Sequence, residues 1–281
     1  MLRHLVVNAD DLGLTEGVND GIFDAHELGI VTSASLLAAA PATSAAIRRA
    51  RTTQSLGIGA HLSLVDGAPA LPASLVHTLV TGDGRFRHSW RPFIVACLRG
   101  QVSMGEVERE LTAQIERLAN VGFRLTHLDM HKHVHLYPPI FAIVARLAVR
   151  FGIPVVRVPY ERRSWLNGAL WLWARHNYRE AKALSLRTPH FIGRIDTGAL
   201  SRDALRRLVP FIGPGVTELM VHPGYVDDEL RRWPTRLVES RLEEVALLCS
   251  PHTRMLLVGE RIRLVRHDHA LPVRRSLRHV S

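Results

Sequence analysis

The chain runs to 281 residues, 47% of them hydrophobic, with a formal net charge of +10 carried almost wholly by arginine, since Lys132 and Lys182 are its only lysines. No apolar run approaches the ~18–20 residues of a membrane span, the cysteines Cys97 and Cys249 make neither a disulfide framework nor a metal motif, and the scattered arginines come with no nucleic-acid-binding motif. What is left is a single soluble α/β domain over residues 1–260 with a basic tail over 261–281, in a reducing, cytoplasmic setting and with no signal peptide.

Residues 5–8 read as a short buried strand that runs into Asp10-Asp11. Residues 15–28 have helical periodicity, with Gly29 as the C-cap. A second strand over 30–38 is followed by an alanine-rich helix over 44–51, and a third strand over 57–64 carries His61. Residues 67–86 are a loop punctuated by Pro69, Pro72 and Gly82-Asp83-Gly84. Val107, Leu111, Ile115 and Leu118 share one face of a helix over 106–120. A strand over 124–130 delivers His131, His133 and His135, whose alternation on an extended backbone points all three to one face. A helix over 138–151 and a strand over 154–158 follow. After a tryptophan-rich region come a helix over 201–211, a strand over 218–221 that ends at His222-Pro223-Gly224-Tyr225, a helix over 237–248 and a last strand over 255–258.

This alternation of strand and helix predicts a mainly parallel sheet, open or closed into a barrel. Asp10, Asp11, His61, Asp129, His131, Arg157 and His222 all fall late in strands or just after them. Active sites of parallel α/β folds gather at the carboxyl ends of the strands.

Two adjacent carboxylates after an apolar run are costly core residues unless they are partnered. A divalent ion held by one carboxylate and two imidazoles keeps open positions for water and substrate, and Asp11, His61 and His131 can supply that set. Asp10 then stays unligated and is free to act as general base. The three alternating histidines cannot all ligate one ion together with His61 and Asp11, so His133 or His135 faces substrate or supports a ligand. Asp129 suits a partner that orients a ligand histidine. His222, before a Pro-Gly turn, is a candidate general acid near its ordinary pKa. Arg157 either positions substrate or pairs with a carboxylate of the site. Zinc suits a His₂Asp set, with magnesium or another divalent ion as alternatives.

These residues carry a resemblance. Asn8-Ala9-Asp10-Asp11-Leu12-Gly13, Val31-Thr32-Ser33-Ala34-Ser35, Gly59-Ala60-His61-Leu62, the block from Thr126 to His135 and Val221-His222-Pro223-Gly224-Tyr225 follow the order seen in the YdjC-like (ChbG-type) carbohydrate deacetylases. The resemblance implies a distorted (β/α) TIM-like barrel, with Asp11, His61 and His131 as metal ligands, Asp10 as catalytic base and His222 as acid or substrate contact. Asp129, His133, His135, Arg157 and Tyr225 then fall to substrate contact or ligand support. His61-Leu62-Ser63-Leu64-Val65-Asp66-Gly67, Asp83-Gly84-Arg85-Phe86 and Val156-Arg157-Val158-Pro159 are similar to the hopanoid-biosynthesis branch called HpnK. That branch implies removal of acetyl from an N-acetylglucosaminyl hopanoid. The chain departs from the broader family at Leu12, where Phe is usual, and at Lys132, which bears on the sugar more than on the chemistry.

The segment 165–173, with Trp165, Leu166, Leu170, Trp171, Leu172 and Trp173, is flanked by Arg162, Arg163, Arg175 and Arg179. Such a stretch either packs on the barrel or rests peripherally on the inner membrane surface. The expected partner is an N-acetylated, lipid-linked amino sugar, with no nucleic acid; a homodimer is compatible with the chain. A soluble chitooligosaccharide is the rival substrate, and a non-catalytic glycolipid-binding protein is the rival class.

Overall fold

The computed structural model describes residues 2–161 and 168–269. Leu5, Val6 and Val7 are fully buried, as befits a strand covered on both faces, where an apolar run rather than an alternation is expected. They lie in β1 (Arg3–Leu12), which extends through both aspartates. Around it in chain order stand α1 (Glu16–Glu27), β2 (Ser33–Leu37), α2 (Thr43–Thr52), β3 (Gly57–Leu62), α3 (Trp90–Leu98), α4 (Met104–Ala119), β4 (Leu128–Met130), α5 (Pro138–Arg150), α6 (Gly168–Ala183), β5 (His190–Ile192), α7 (Arg202–Leu208), β6 (Gly215–Val221), α8 (Asp228–Arg232), α9 (Glu239–Cys249), α10 (Pro251–Gly259) and β7 (Ile262–Leu264).

The strands run parallel in the order β4-β3-β2-β1-β6-β5. Because Arg3 to Leu5 pair with both β6 and β7, β7 occupies the lower part of the β1 edge whose upper part carries β2. Residues 154–157 close the ring as an irregular stave. Leu128 and Arg157 bond across one side of it, and Val156 N donates to Arg187 O at 3.0 Å on the other, just before β5. The result is a distorted, TIM-like (β/α) barrel: the alternation of elements left a parallel sheet open or closed, and the resemblance implied the barrel.

Local chemistry sets the helix starts. The Thr15 hydroxyl accepts from Val18 N and caps α1, which leaves the two aspartates just before it free of capping duty. Ser103 and Ser201 do the same for α4 and α7. The apolar faces of α1, α4 and α5, including Val18, Ile22, Leu111, Ile115, Ile140 and Val144, pack into one continuous core with the strands.

Three expectations are corrected. Residues 255–258 belong to α10, which Pro251 opens in its first turn; the last strand is β7. A four-residue apolar run has no period with which to tell strand from helix. Residues 154–158 make single bridges and not a regular strand. The basic stretch after 260 begins inside the sheet: Ile262 pairs with Arg3, and His267 is buried with its ring stacked on His127 at 3.8 Å. Trp165, Leu166, Arg162, Arg163 and the tail from 270 lie outside the described residues. Helix α3 is absent from the sequence reading, because its nine residues span too few turns to show a period, and Pro92 in the first turn reads equally well as a loop residue.

Candidate functional site

In a regular strand, neighbours point to opposite faces. The pairing of β1 with β2 shifts register between Ala9 and Leu12, and Asp11 is left-handed at φ 70°. This bulge turns both aspartates toward one cleft. His61 sits at the end of β3 and His131 just after β4, so the ends of three strands deliver the set.

Asp11 Oδ1 lies 3.0 Å from His131 Nδ1 and 3.4 Å from His61 Nε2. The three candidate ligand atoms all fall within 4.8 Å of one another. Tetrahedral bonds of about 2.0–2.1 Å place neighbouring donor atoms about 3.3 Å apart, so a divalent ion fits between these groups with little rearrangement. His61 Nδ1 points at Asp129 Oδ1, 2.7 Å away, leaving Nε2 for the cleft. Asp129 in turn accepts from Ser35 at 2.6 Å and pairs with Arg157 at 2.7 Å. Asp129 therefore lies behind His61, on the side away from the cleft. Asp10, His61 and Asp129 also cluster, but the two carboxylates of that group are already engaged by Arg157.

Asp10 receives two guanidinium bonds from Arg157, each 2.7 Å, and a third bond from Asn8 Nδ2 at 2.8 Å. Burial by itself raises its pKa, yet Arg157 outweighs burial and holds the carboxyl well below the usual range. Asp11 is likewise held low against burial, by Arg241 at 2.6 Å and by His131. For His61, burial disfavours the imidazolium, but Asp129, Asp11 and Asp10 raise it to about 10. His222 follows the end of β6 and lines the same cleft, its backbone N–H donating to Glu244 at 2.5 Å. Burial lowers it to about 4 despite Asp10 and Asp11. The expectation of a histidine near its ordinary pKa is thus corrected: burial holds His222 below it.

The histidine run is not extended. Residues His131–Leu136 form a short 3-10 turn in which Lys132 and His133 are left-handed, at φ 51° and 56°. The three side chains therefore part company. His131 joins Asp11. His133 lines the cleft, edge-on to Phe191 at 5.7 Å, and its Nδ1 has no hydrogen-bond partner among the described residues. His135 is buried beneath, donating from Nε2 to Arg157 O at 2.9 Å. Arg157 does not face the cleft: it is 1% exposed and holds Asp10, Asp129 and Glu218 together. Tyr225 turns away, its hydroxyl donating to Asp24 at 2.8 Å on α1.

Sequence reasoning passed over Arg241, Glu244, Glu218, Ser35 and Asn8 as working parts. Each is a buried polar residue, and the apolar blocks around them give no local sign of the partner each one meets. The cleft above the site holds about 670 Å³, with Asp10, Asp11, His61, His131 and His222 on its floor and Trp90, Ile94, Tyr137, Leu170 and Trp173 on its wall.

A family model described as YdjC-like protein matches residues 4–258, which is most of the chain. The chain belongs to the YdjC-like family. Similar proteins include a carbohydrate deacetylase of Geobacillus stearothermophilus, 35% identical over 252 residues that cover 89% of this chain and 91% of that one. Another carbohydrate deacetylase, from Brevibacillus brevis, is 34% identical over 262 residues, 93% of this chain and 97% of its own. Among solved structures, an Enterococcus faecalis V583 protein provisionally described as a cellobiose-phosphate cleavage protein superposes with a TM-score of 0.82 at 28% identity, covering 95% of this chain and 98% of that one.

Proposed function

We propose that this YdjC-like chain is a metal-dependent carbohydrate N-deacetylase that hydrolyses the acetamide of an N-acetylglucosamine-type sugar. That it is a hydrolytic deacetylase follows from its family and from relatives of that name matched over nearly their whole length. The observation that carries the mechanism is the division of labour between neighbours: Asp11 converges with His61 and His131, while Asp10 beside it stays outside that triad yet lines the same cleft. Asp11, His61 and His131 would hold a divalent ion, which when bound would supply carbonyl polarisation and a lowered water pKa. Asp10, kept ionised by Arg157, takes the proton from the attacking water at its carboxylate. Asn8 and Arg157 hold that carboxylate in place through the step. The proton taken by Asp10 passes to His222, which burial keeps neutral beforehand, and from His222 to the departing amine; His133, which lines the same cleft, is the alternative relay. Acetate and a free amino sugar result.

The acceptor we propose is lipid-linked, an N-acetylglucosaminyl hopanoid. An aromatic and aliphatic cleft wall of this size suits an apolar aglycone better than a second sugar, whose hydroxyls need hydrogen-bond partners. Acetate release from an acetylated glycosyl hopanoid and from diacetylchitobiose, compared with the zinc-loaded protein, tests the choice. Equal or faster turnover of the chitobiose removes the lipid assignment, and no acetate from either leaves the chain a non-catalytic binder.

A further inference from the structure

Taking Asp11, His61 and His131 as the metal-binding set, we infer that Asp66 is the positioning residue that aims His131 at the metal. An imidazole ligates through one nitrogen, and the group held by its other nitrogen decides which. Asp129 does this for His61, engaging Nδ1 and leaving Nε2 for the ion. His131 has the opposite arrangement: Nδ1 faces Asp11 Oδ1 at 3.0 Å, and Nε2 faces Asp66 Oδ2 at 3.5 Å. Each candidate ligand histidine thus has its own buried carboxylate behind it.

Asp66 joins three loops at one side chain. Its Oδ2 pairs with Lys132 Nζ at 2.6 Å, next in the chain to His131. Its Oδ1 accepts from Ser89 N at 3.3 Å, at the start of α3, and stands 3.5 Å from His88 Nδ1. Its own N–H donates to Arg87 O at 3.1 Å. Asp66, Ser89, Lys132 and His133 are all left-handed without being glycine, at φ 55°, 70°, 51° and 56°. Such conformations persist only where the surroundings over-determine them, and two of these residues, Ser89 and Lys132, bond to the carboxylate of a third, Asp66. Lys132 pairs with Asp66 as a charge partner beside the turn that carries His131, and Ser89 ties the same carboxylate to the helix that builds the cleft wall.

The test is the affinity of the chelator-stripped protein for zinc alone, read by calorimetric or chromophoric-chelator competition, with folding checked by circular dichroism. Asp66→Asn, which keeps the shape and removes the charge, is expected to bind zinc about 10–100-fold more weakly. Lys132→Met, which keeps Asp66, is expected to stay within about threefold of the parent, well short of that loss. Zinc affinity unchanged in Asp66→Asn overturns the inference, and so does a Lys132→Met loss as large as that of Asp66→Asn, since Asp66 then serves only to hold the lysine. Asp11→Asn and His131→Ala separate this from the metal reading beneath it. If both keep zinc affinity, the metal set itself is wrong; if both lose it while Asp66→Asn does not, only the role of Asp66 falls.

Discussion

Asp10 and Asp11 are adjacent in the chain and nearly equal in burial, yet their partners differ completely. Arg157 takes both oxygens of Asp10, whereas Asp11 gives one oxygen to the histidines and the other to Arg241. A buried carboxylate without such partners would take up a proton; with them, both stay ionised. Replacing Asp10 by Asn keeps the shape and removes the proton acceptor. Acetate release by Asp10→Asn should fall by at least about 10²-fold, the usual range for a positioned general base, while zinc bound per chain stays that of the parent. Full activity in that variant would refute the base assignment.

At the scale of elements, the barrel is assembled by close approaches that no propensity scale reports. A Cβ on Gly59 in β3 would collide with the ring of His127, which is buried against Ser35 and stacked on His267. That ring links the start of β4 to the segment after β7, so overpacking it strains two staves at once. Gly59→Ala should cost about 1–3 kcal/mol of stability, measured as a shift in the urea midpoint; a midpoint within error of the parent would show that the ring moves aside freely. Helices α3 and α6 flank the turn that carries His131 and expose Trp90, Val95 and Leu98 on one and Trp171 and Leu172 on the other.

For the whole molecule, two consequences are measurable. Arg91, Arg99, Arg175 and Arg179, on or capping the same two helices, are exposed, with Arg91 over the Trp90 ring and Arg175 over that of Trp171, a composition suited to an anionic bilayer surface. The protein should float with phosphatidylglycerol-containing vesicles at low salt and release as salt rises; equal recovery with neutral vesicles at all salt concentrations would remove the membrane contact. The second consequence concerns pH. Burial holds His222 down to about 4 and His135 down to about 3, with His127 and His133 also well below their ordinary value. Between pH 6.5 and about 4 the unfolded chain therefore binds protons that the folded chain refuses, so stability falls on acidification, by about 1.4 kcal/mol per pH unit for each such histidine. The low carboxyls of Asp10 and Asp11 extend the loss below about pH 4. Glu244, raised by burial to about 7, offsets one of these histidines between about pH 7 and 4.5, and His61 and His131, raised by their carboxylates, weaken the metal-free protein only as pH rises above 6.5. Denaturant midpoints of the chelator-treated protein at about pH 4.5, 5.5 and 6.5 check the sign, and a midpoint independent of pH over that range would contradict it.

What the sequence determined by itself was the order of most strands and helices and the gathering of Asp10, Asp11, His61, His131 and His222 at strand ends. Those features are local: apolar runs mark buried strands, and a polar residue at the close of such a run has to lie at the rim of the sheet. That Asp129 could stand behind a ligand histidine was legible, but which histidine was not, because the pairing of His61 with Asp129 rests on the neighbouring of β3 and β4. Only the tertiary structure decided the rest. Arg157 reaches Asp10 across 147 residues of sequence and Arg241 reaches Asp11 across 230, and no local pattern encodes a partner at that distance. The extended run of three histidines failed for the same reason. Its backbone turns left-handed at Lys132 and His133, so one histidine faces Asp11, one lines the cleft and one is buried in the core.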